Sequence, residues 1–510
     1  MDAKETLIFG PPGCGKTYTL INIVKEALQN GTPPDRIGFV SFTRKSIEEA
    51  RNRAGAELGL TAQDTPYFRT LHSMGFMWLG MRKDQIINIY DLKQIGLQMG
   101  MVFDNREVYD EDGLLQMSAK EGNKYLTLIQ RAKMRMVSLA EEFNDNGDYK
   151  MHWELLVKLD TVYHNYKREM GKFDFTDMIE QMVLQGTGPN LELLIVDEAQ
   201  DLTPLQWEQV KVLARNAKRV YYAGDDDQAI FRYTGVDVRK MLSACSDKRV
   251  LEQSYRTPRV IHDLSASLAR RIEVREPKLW RPRDEEGSIQ HHMSIDELNV
   301  DQGSWTVMSR TVKGLNNMAD ELKRDGRMFL KNGRLSFDQD TLDGMKTWAR
   351  LGRGEKVSVE DAINMYSLMP KQGDNARVQR GMAKTLELID PTAPLTFDDL
   401  KNSHGLLPPK DMPAQEALNL SHEDHVYWNA LCRRYADGIP LSPEIKLSTI
   451  HRMKGGEDDN IVLMLDMGYM PYQTLLYDPD DEHRVFYTAV TRTKQNLHII
   501  DARTDYGYPL

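Results

Sequence analysis

One short segment near the start of the chain constrains the fold more than any other feature. Residues 10–17 read Gly-Pro-Pro-Gly-Cys-Gly-Lys-Thr, which satisfies the pattern G-x-x-x-x-G-K-[ST] at every fixed position. The apolar residues 6–9 before it predict a buried strand, and residues 19–29 after it have the apolar spacing of a helix. A glycine-rich loop in this context curls so that its backbone N–H groups face phosphate oxygens. The segment therefore predicts a phosphate-binding loop in an α/β domain, rather than a plain glycine-rich turn.

The residues of this loop have distinct expected tasks. Lys16 is expected to reach the β- and γ-phosphates of a nucleotide, and Thr17 is expected to ligate Mg2+. The helix that follows presents the positive end of its dipole to the same anion. The residues predicted to surround the phosphates are Gly10, Pro11, Pro12, Gly13, Cys14 and Gly15. The loop thus predicts that the chain binds a nucleotide together with a magnesium ion.

Short apolar runs alternate with helical patterns along the rest of the chain, which predicts α/β cores with parallel sheets. Further strands are predicted at residues 37–40, 193–196, 220–223, 305–308, 445–449, 461–464 and 497–500. Two long stretches lack the alternation, so we predict two cores, each carrying a mainly helical insertion. The predicted first core is 1–76 and 186–257 with the insertion 77–185, and the predicted second core is 258–334 and 441–510 with the insertion 335–440.

Acidic residues follow two of the predicted strands of the first core. Asp197 and Glu198 come directly after one strand, and three aspartates at 225–227 precede Gln228 after the next. Open α/β sheets bind ligands at the carboxyl ends of their strands, so we expect these side chains beside the phosphate loop. Asp197 would hold Mg2+, Glu198 would orient and deprotonate an attacking water, and Gln228 would sense the γ-phosphate. Without the loop, each acidic group would be read as a solvated strand end.

Composition narrows the classes of function that fit. The chain has 510 residues and a formal net charge of -10, which excludes a uniformly basic coat and leaves nucleic acid only a local groove. Its three cysteines are widely spaced, which excludes a disulfide scaffold and a clustered zinc site and fits a reducing compartment. No apolar run is long enough to span a membrane, and the N-terminus lacks a signal pattern. We therefore expect a cytoplasmic protein with no membrane partner.

Eight further segments extend the pattern begun by the phosphate loop. They are residues 42–50, 70–73, 173–178, 197–201 (Asp-Glu-Ala-Gln-Asp), 224–233, 251–256 (Leu-Glu-Gln-Ser-Tyr-Arg), 448–457 and 487–492. In content and order they resemble the motifs of the UvrD/Rep/PcrA-type helicases of superfamily 1. The resemblance spans both predicted cores and is far more specific than the loop alone. It implies two RecA-like cores, ATP and Mg2+ as cofactors, and ATP hydrolysis in the cleft between the cores.

The resemblance also implies which residues contact the nucleotide. Arg256 and Arg492 match the family's two arginine fingers, a role that suits a guanidinium because it forks onto phosphate oxygens. Glu457 matches a residue on the ribose or γ-phosphate side, and Tyr255 matches the aromatic residue that stacks on adenine. Tyr18 stands where relatives carry an arginine, so the base is expected between two tyrosines. Because the arginines lie at or beyond the division between the cores, ATP binding is expected to close the cleft.

The family binds single-stranded DNA across both cores, which implies a second set of site residues. The residues that match or neighbour its DNA-contact positions are Phe42, Thr43, His72, Phe231, Arg232 and Tyr233. Aromatic rings stack on any base, so such a groove grips DNA without sequence preference. His451 is expected to link DNA contact to the ATP site. The expected partners are single-stranded DNA and single-strand/duplex junctions.

Departures from the family pattern keep a second interpretation open. Tyr233 replaces the tryptophan usual in relatives, Thr234 replaces an arginine, and no glutamine precedes the phosphate loop. The leading interpretation is an ATP-driven single-stranded-DNA translocase and helicase, with the 3′ to 5′ polarity of the family. The alternative is a translocase that remodels nucleoprotein complexes or acts on RNA, with weak unwinding. A non-enzymatic scaffold is disfavoured because the set of ATP-site residues is complete.

Two other stretches are interpreted as ordinary surface or connection. The lysines and arginines between residues 270 and 283 favour a solvated face over a surface for a nucleic-acid duplex or a protein partner. Residues 406–409, Leu-Leu-Pro-Pro, predict a linker within the second insertion.

Overall fold

Two large sheets surrounded by helices form the protein, which confirms the predicted α/β fold class. The computed structural model describes residues 4–103, 120–147, 150–373, 375–435, 439–440 and 442–510. Both predicted insertions therefore extend partly outside the described residues, at 104–119, 148–149, 374 and 436–438.

The first sheet lies in the N-terminal half of the chain. Its strands are β1 (Lys4–Phe9), β2 (Ile37–Ser41), β3 (Phe68–Thr70), β4 (Leu193–Asp197), β5 (Arg219–Gly224) and β6 (Lys248–Val250). They are parallel and lie in the spatial order β3-β2-β4-β5-β1-β6. Strands β2 and β4 are buried along their whole length, as expected when helices cover both faces of a parallel sheet. The carboxyl ends of β1, β4 and β5 therefore bring the phosphate loop and the acidic residues to one edge.

The second sheet is built from the C-terminal half. Its strands are β7 (Ser288–His292), β8 (Trp305–Ser309), β9 (Leu330–Lys331), β10 (Arg334–Leu335), β13 (Ile445–Thr449), β14 (Asp458–Met464) and β15 (Thr493–Ile500). Their spatial order is β10-β9-β13-β8-β14-β15-β7. All neighbours pair in parallel except β9 and β10. A separate antiparallel ribbon joins β11 (Val357–Ser358) and β12 (Pro394–Leu395).

Helices connect and cover the strands. In the first half they are α1 (Lys16–Gln29), α2 (Arg44–Leu58), α3 (Leu71–Trp78), α4 (Ile89–Met99), α5 (Glu121–Arg135), α6 (Leu139–Asn146), α7 (Trp153–Met170), α8 (Phe175–Gln185), α9 (Pro204–Ala214) and α10 (Val238–Leu242). In the second half they are α11 (Arg259–Ala269), α12 (Val312–Arg324), α13 (Gln339–Gly352), α14 (Val359–Ser367), α15 (Phe397–Ser403), α16 (Ala414–Ala417), α17 (His422–Arg434), α18 (Ile450–Met453), α19 (Tyr469–Tyr477) and α20 (Asp480–Val490). Within the described ranges, none of them has the length and apolar character needed to cross a membrane.

The second insertion has a hydrophobic core of its own, and this overturns one prediction. Leu406 is buried in that core together with Trp348 and Tyr366. Its backbone N–H donates to the carbonyl of Leu400 at 3.0 Å. The prediction of a linker at residues 406–409 is therefore wrong, because the first leucine of the segment packs inside the insertion.

The predicted solvated face at residues 270–283 is also wrong for two of its cations. The side chain of Lys278 is fully buried, with its Nζ 3.3 Å from Oδ1 of Asp225 and 2.9 Å from Oδ2 of Asp227. Nζ also donates to Asp226. Arg275 forks onto the carboxylate of Asp227 at 2.8 and 2.7 Å. Buried charges need partners, so these cations and the three aspartates satisfy one another inside the protein.

The two halves share a continuous interface. One hydrophobic cluster contains Leu7 and Phe231 from the first half and Ile450 and Phe486 from the second. Beside it, the guanidinium Nε of Arg484 in α20 donates to the carbonyl of Asp226 at 3.0 Å. The carboxyl edges of the two sheets therefore face a common boundary, which holds the candidate site.

Candidate active site at the boundary between the two sheets

The phosphate loop has the backbone that its sequence predicts. Gly13 and Gly15 have φ values of 70 and 75°, in the left-handed region that favours glycine. The N–H of Gly10 donates to the carbonyl of Gly224 at 2.8 Å, which fixes the loop to the end of β5. A Cβ atom on Gly13 would lie 2.3 Å from the Cβ of Arg256. Glycine at this position therefore allows the segment around Arg256 to pack directly on the loop.

Lys16 contacts the two carboxylates at the carboxyl end of β4. Its Nζ is 3.2 Å from Oδ1 of Asp197 and donates to Oε1 of Glu198. Burial alone would lower the pKa of Lys16, but the charges of Asp197 and Glu198 raise it well above its ordinary value. Burial raises the pKa of Asp197 to about 6. For Glu198 burial acts in the same direction, but the charges of Lys16 and Lys454 outweigh it and hold the pKa at about 2.

The backbone of Glu198 is strained. Its φ of 55° and ψ of 40° place a residue other than glycine in the left-handed region, at a cost of about 1–3 kcal/mol. Gln200 supports the carboxylate by donating from Nε2 to Oε2 of Glu198. The Oε1 of Gln200 accepts from the N–H of Asp225 at 3.1 Å. Gln200, which the sequence reasoning did not select, thus ties the end of β4 to the end of β5.

Arg492 reaches this group from the second half. It is buried, and its Nη2 donates to Oε1 of Gln228 while Nη1 lies 3.4 Å from the carbonyl of Gly456. Gln228 in turn donates to Oδ2 of Asp225 at 2.6 Å. Burial, together with the nearby charge of Arg256, lowers the pKa of Arg492 to about 9, so the guanidinium remains charged at neutral pH. The structure therefore brings Gln228 and Arg492 into direct contact.

Arg256 and Glu457 are also brought together across the boundary. The guanidinium of Arg256 forms an ion pair with Oε2 of Glu457. The buried Nε of Arg256 has no hydrogen-bond acceptor in the portion of the chain that the structure describes. Two residues earlier, the hydroxyl of Ser254 donates to the carbonyl of Pro12 at 2.7 Å. A cationic group with an unused donor thus lies directly against the phosphate loop.

The sequence reasoning missed Lys454, which makes several polar contacts across the boundary. Its Nζ donates to both carboxylate oxygens of Asp201, at 2.7 and 2.5 Å, and to the carbonyl of Gln228 at 2.7 Å. The same Nζ lies 4.8 Å from the ring centroid of Phe231. Burial raises the pKa of Asp201 to about 6, although the charge of Lys454 opposes this. The available signal was its place within segment 448–457, three residues after His451.

Tyr18 and Tyr255 both lie near Gly15 of the phosphate loop. A Cβ atom on Gly15 would lie 4.0 Å from the Cβ of Tyr18 and 4.0 Å from Cε2 of Tyr255. Both tyrosines are exposed, by 54% and 73%. Two exposed rings therefore stand at one end of the loop, where they can contact a planar group.

Four of the predicted DNA-contact residues meet in a cluster of rings, which we call the aromatic cluster: Phe42, Phe231, Tyr233 and His451. Ring centroids are 5.9 Å apart for Phe42 and Phe231, and 5.8 Å apart for Tyr233 and His451. Tyr233 is the most open of the four, at 37% exposure. Burial, with the charges of Arg310 and Lys454, lowers the pKa of His451 to about 3, so its ring is neutral. The cluster draws on both halves of the chain.

The other predicted DNA-contact residues have protein partners. His72 is buried and packs edge-on against Phe175, with ring centroids 6.0 Å apart. Arg232 pairs with Asp478 at 3.1 Å and with Asp481 at 2.8 Å. Thr43 caps α2 by accepting from the N–H of Ser46 at 3.2 Å. These contacts anchor the three residues within the protein, whereas Tyr233 remains accessible.

Comparison with known proteins places these features in a family. Residues 2–249 match the family model of the UvrD/REP helicase N-terminal domain, and residues 420–504 match that of the UvrD-like helicase C-terminal domain. The ATP-dependent DNA helicase PcrA of Staphylococcus epidermidis strain RP62A is 25% identical over 615 residues, covering 98% of this chain and 81% of that protein. PcrA of Staphylococcus aureus strain Mu50 is 25% identical over 317 residues, covering 57% of this chain and 41% of that protein.

Proposed function

Because the chain belongs to the UvrD/Rep/PcrA-type helicases of superfamily 1, a family of ATP-hydrolysing enzymes, we propose that it moves along single-stranded DNA by hydrolysing ATP between two RecA-like cores. The proposal assigns residues 1–76 and 186–257 to one core and residues 258–334 and 441–510 to the other. The enzyme would act in the cytoplasm, at single-strand/duplex junctions, and would move 3′ to 5′. The polarity rests on family membership alone.

One observation carries this proposal: the groups that would surround a γ-phosphate are contacted by cations from the other half of the chain. Arg492 donates to Gln228, and Lys454 donates to Asp201, four residues after Asp197. A phosphate at the loop would attract these cations and draw the halves together. Loss of the γ-phosphate would release them, so each round of hydrolysis would open and close the boundary.

The site suits a nucleoside triphosphate with Mg2+. The unused donor of Arg256 and the charge of Lys16 fit a polyanion, and Asp197, whose pKa burial raises, would gain from a nearby cation. Thr17 and Asp197 would hold Mg2+, which prefers such oxygen ligands and, when bound, neutralises charge on the transferring phosphoryl group.

Glu198 is proposed as the base. Its pKa is low chiefly because the charges of Lys16 and Lys454 outweigh burial. When phosphate oxygens draw Lys16 away, the carboxylate would become a better proton acceptor. Gln200 would keep it aimed at the attacking water, since Gln200 holds one of its oxygens and is itself fixed to Asp225. The strained backbone of Glu198 would serve the same positioning.

The aromatic cluster is the proposed DNA-stacking site. A base that stacks on Tyr233 would also approach Phe231, because the two ring centroids are 6.3 Å apart. Lys454 lies over Phe231 and donates to Asp201. A movement of the rings would therefore shift Lys454 and change its contact with Asp201, near the end of β4. This path gives a physical route by which DNA would stimulate hydrolysis.

One observation favours the alternative of nucleoprotein remodelling or action on RNA with weak unwinding. Thr234, at a position where relatives carry an arginine, is buried, and its hydroxyl donates to the carbonyl of Phe231 at 2.7 Å. This position therefore offers no cation to a strand, and the grip on DNA would rest more heavily on stacking.

The first experiment measures ATP hydrolysis alone and with single-stranded DNA, single-stranded RNA or duplex DNA. Strong stimulation by single-stranded DNA is expected. Stimulation by RNA alone would support the alternative, and equal rates throughout would contradict both. The Glu198→Gln enzyme should lose about 10²–10⁴-fold in rate. Glu208→Gln, at a half-buried α9 residue paired with Lys211, is the matched control and should retain the full rate.

Polarity is tested separately with partial duplexes that carry a single-stranded tail at either end. The proposed enzyme should displace the strand of the 3′-tailed substrate and leave the 5′-tailed substrate intact. Displacement of the 5′-tailed substrate alone would contradict the proposed direction without affecting the hydrolytic site.

A further inference from the structure

The first insertion contacts the turn that carries Tyr233. This turn, residues 232–235, is called the Tyr233 turn below. The guanidinium Nη1 of Arg131, in α5, donates to the backbone carbonyl of Tyr233 at 3.0 Å. The two residues are 102 positions apart in the chain. A side chain of the insertion is therefore bonded to the backbone of a residue in the aromatic cluster.

A buried carboxylate holds Arg131 in place. Glu142, in α6, is fully buried, and it accepts from Nε of Arg131 and from Nη1 of Arg135, one at each of its oxygens. Arg135 also donates to Asp145 at 2.8 Å. A buried charge needs its partners, so Glu142 fixes both guanidinium groups. Arg131 thus presents one nitrogen to Glu142 and a second to Tyr233, which its planar fork allows.

The Tyr233 turn also packs against the stems of the same two arginines. Gly235 has a φ of 99°, in the left-handed region. A Cβ atom at this position would lie 2.8 Å from Cγ of Arg135 and 3.4 Å from Cγ of Arg131. Glycine therefore gives the turn both its backbone conformation and its close approach to α5.

Other contacts fix the neighbours of Tyr233 within the turn. Arg232 pairs with Asp478 and Asp481 from the second half of the chain. Thr234 is buried. Tyr233 itself is 37% exposed. With both neighbours held, the direction of its ring depends on the backbone at residue 233, to which Arg131 donates.

We propose that Arg131 is a positioning residue that orients Tyr233 for stacking on a base of the DNA strand. The inference rests on the proposed function, because it takes Tyr233 as a DNA-stacking residue. A ring already held in its binding orientation loses less freedom when a base binds, so its affinity is higher.

Arg131 would act through Tyr233 without contacting the strand. Its side chain is only 13% exposed, and its Nε and Nη1 donate to protein acceptors. The first insertion would thus strengthen DNA binding by holding one ring of the aromatic cluster.

Arg131→Lys separates this role from that of a positive charge. Lysine keeps the charge beside Glu142, but its single nitrogen cannot reproduce the fork that holds Glu142 and Tyr233 at once. The single-stranded-DNA concentration that gives half-maximal stimulation of ATP hydrolysis should rise by about threefold or more. The kcat at saturating DNA and the KM for ATP should stay unchanged.

Arg135→Lys is the matched control. It makes the same substitution on the same helix and beside the same carboxylate, but the hydrogen bonds of Arg135 run to Glu142 and Asp145. Its half-maximal DNA concentration should equal that of the unmodified enzyme. Thermal melts verify that both variants fold. If Arg131→Lys does not fold, Arg131→Gln combined with Glu142→Gln replaces it, because Arg135 keeps Asp145 and that pair leaves no buried charge unpaired.

A double-variant cycle tests whether Arg131 acts through Tyr233. In the Tyr233→Ala enzyme, Arg131→Lys should cause no further loss of DNA affinity, because the ring that it orients is gone. A role limited to folding would weaken DNA binding by the same factor with and without the ring. Equal factors in the two backgrounds would therefore overturn the inference.

The outcomes separate this inference from the proposed function. If single-stranded DNA does not stimulate the unmodified enzyme, both fail. If DNA stimulates it and Tyr233→Ala weakens binding, but Arg131→Lys behaves as Arg135→Lys does, only this inference fails. If Tyr233→Ala leaves binding unchanged, the stacking role and this inference fail together, while the proposed hydrolytic site stands.

Discussion

The proposed nucleotide side of the boundary and its proposed DNA side are closed by different kinds of contact. On the nucleotide side, Arg492 donates to Gln228 and Lys454 to Asp201, so charged groups meet hydrogen-bonding partners across the boundary. On the DNA side, the rings of Phe231 and His451 meet with centroids 6.3 Å apart. A phosphate can replace the protein group to which a cation is hydrogen-bonded. A base, by contrast, can enter only if the packed rings move apart. Substitutions that remove a charge should therefore have the larger effect on the nucleotide side, and substitutions that remove an aromatic ring should have the larger effect on the DNA side.

Lys454 belongs to both sides. Its Nζ lies over the ring of Phe231 and bonds the buried carboxylate of Asp201. Variants at this residue should therefore affect both ATP hydrolysis and DNA binding. A variant of a residue that lies on only one side should affect only one of these two activities. The following predictions test that distinction, beginning with the largest effect.

Arg492→Ala should have the largest effect. Removing an arginine that stabilises the transferring phosphoryl group costs about 10³–10⁵ in kcat. Arg492 also holds Gln228, so the γ-phosphate side would lose two contacts. Steady-state ATP hydrolysis with saturating single-stranded DNA measures the loss, and affinity for DNA without nucleotide should change little.

The control for that variant is Arg503→Ala. Arg503 lies in the same half of the chain but pairs on the surface with Glu321. Its kcat should match that of the unmodified enzyme. If the kcat of Arg492→Ala falls by less than tenfold, the charge contacts on the nucleotide side do not act on the transition state.

Lys454→Met should destabilise the fold as well as the coupling. It leaves Asp201 buried without its cation, which costs about 3–5 kcal/mol. The free energy of unfolding in urea measures this loss. Lys454→Met combined with Asp201→Asn should recover most of it, because no buried charge is left unpaired.

The double variant is the sharper test of the shared role. Once folded stably, it should still hydrolyse ATP without DNA but should show little stimulation by DNA. If stimulation survives in the double variant, the path from the aromatic cluster to the acidic edge of β4 does not pass through Lys454.

The long apolar strands were predictable because burial on both faces leaves an unbroken apolar run. Strand β4, with four successive apolar residues, is of this kind. Strands β9 and β10 have two residues each, too few to show any periodicity, and the prediction missed them. The fold class therefore follows from the central strands, while the edges of the second sheet do not.

Within the candidate site, local motifs were predictable and distant pairs were not. The phosphate loop is set by glycines that the sequence displays directly. Lys454 meets Asp201 across 253 positions of the chain, and no local pattern carries that pairing. For the same reason Arg275 and Lys278 looked like surface cations, since a sequence displays charges but not their partners. The roles assigned to Arg256, Tyr255 and Glu457 remain predictions.

Tyr233→Ala tests the DNA side by ring area. Base stacking on an aromatic side chain contributes about 1–3 kcal/mol, so affinity for a short single strand should fall by about fivefold to 150-fold. ATP hydrolysis without DNA should be unchanged. Fluorescence anisotropy of a labelled oligonucleotide measures the affinity, and Tyr90→Ala, at an exposed residue of α4, is the control. Equal affinity for Tyr233→Ala would remove the stacking role from the aromatic cluster.

Tyr18→Ala should give the smallest effect, because it removes a ring from the nucleotide side without touching any charged contact there. Aromatic pairs contribute about 0.5–1.5 kcal/mol beyond burial, so nucleotide affinity should fall by about two- to tenfold. Tyr18 and Tyr255 both lie near Gly15, so the two single variants should have similar effects if the base lies between the rings. Tyr18→Phe keeps the ring and should bind as the unmodified protein does. A binding titration with a fluorescent ATP analogue measures all three, and an unchanged affinity in Tyr18→Ala would leave Tyr255 as the base-stacking residue. In that case an aromatic ring would contact the base on one face only. The rest of the nucleotide affinity would come from the charged contacts.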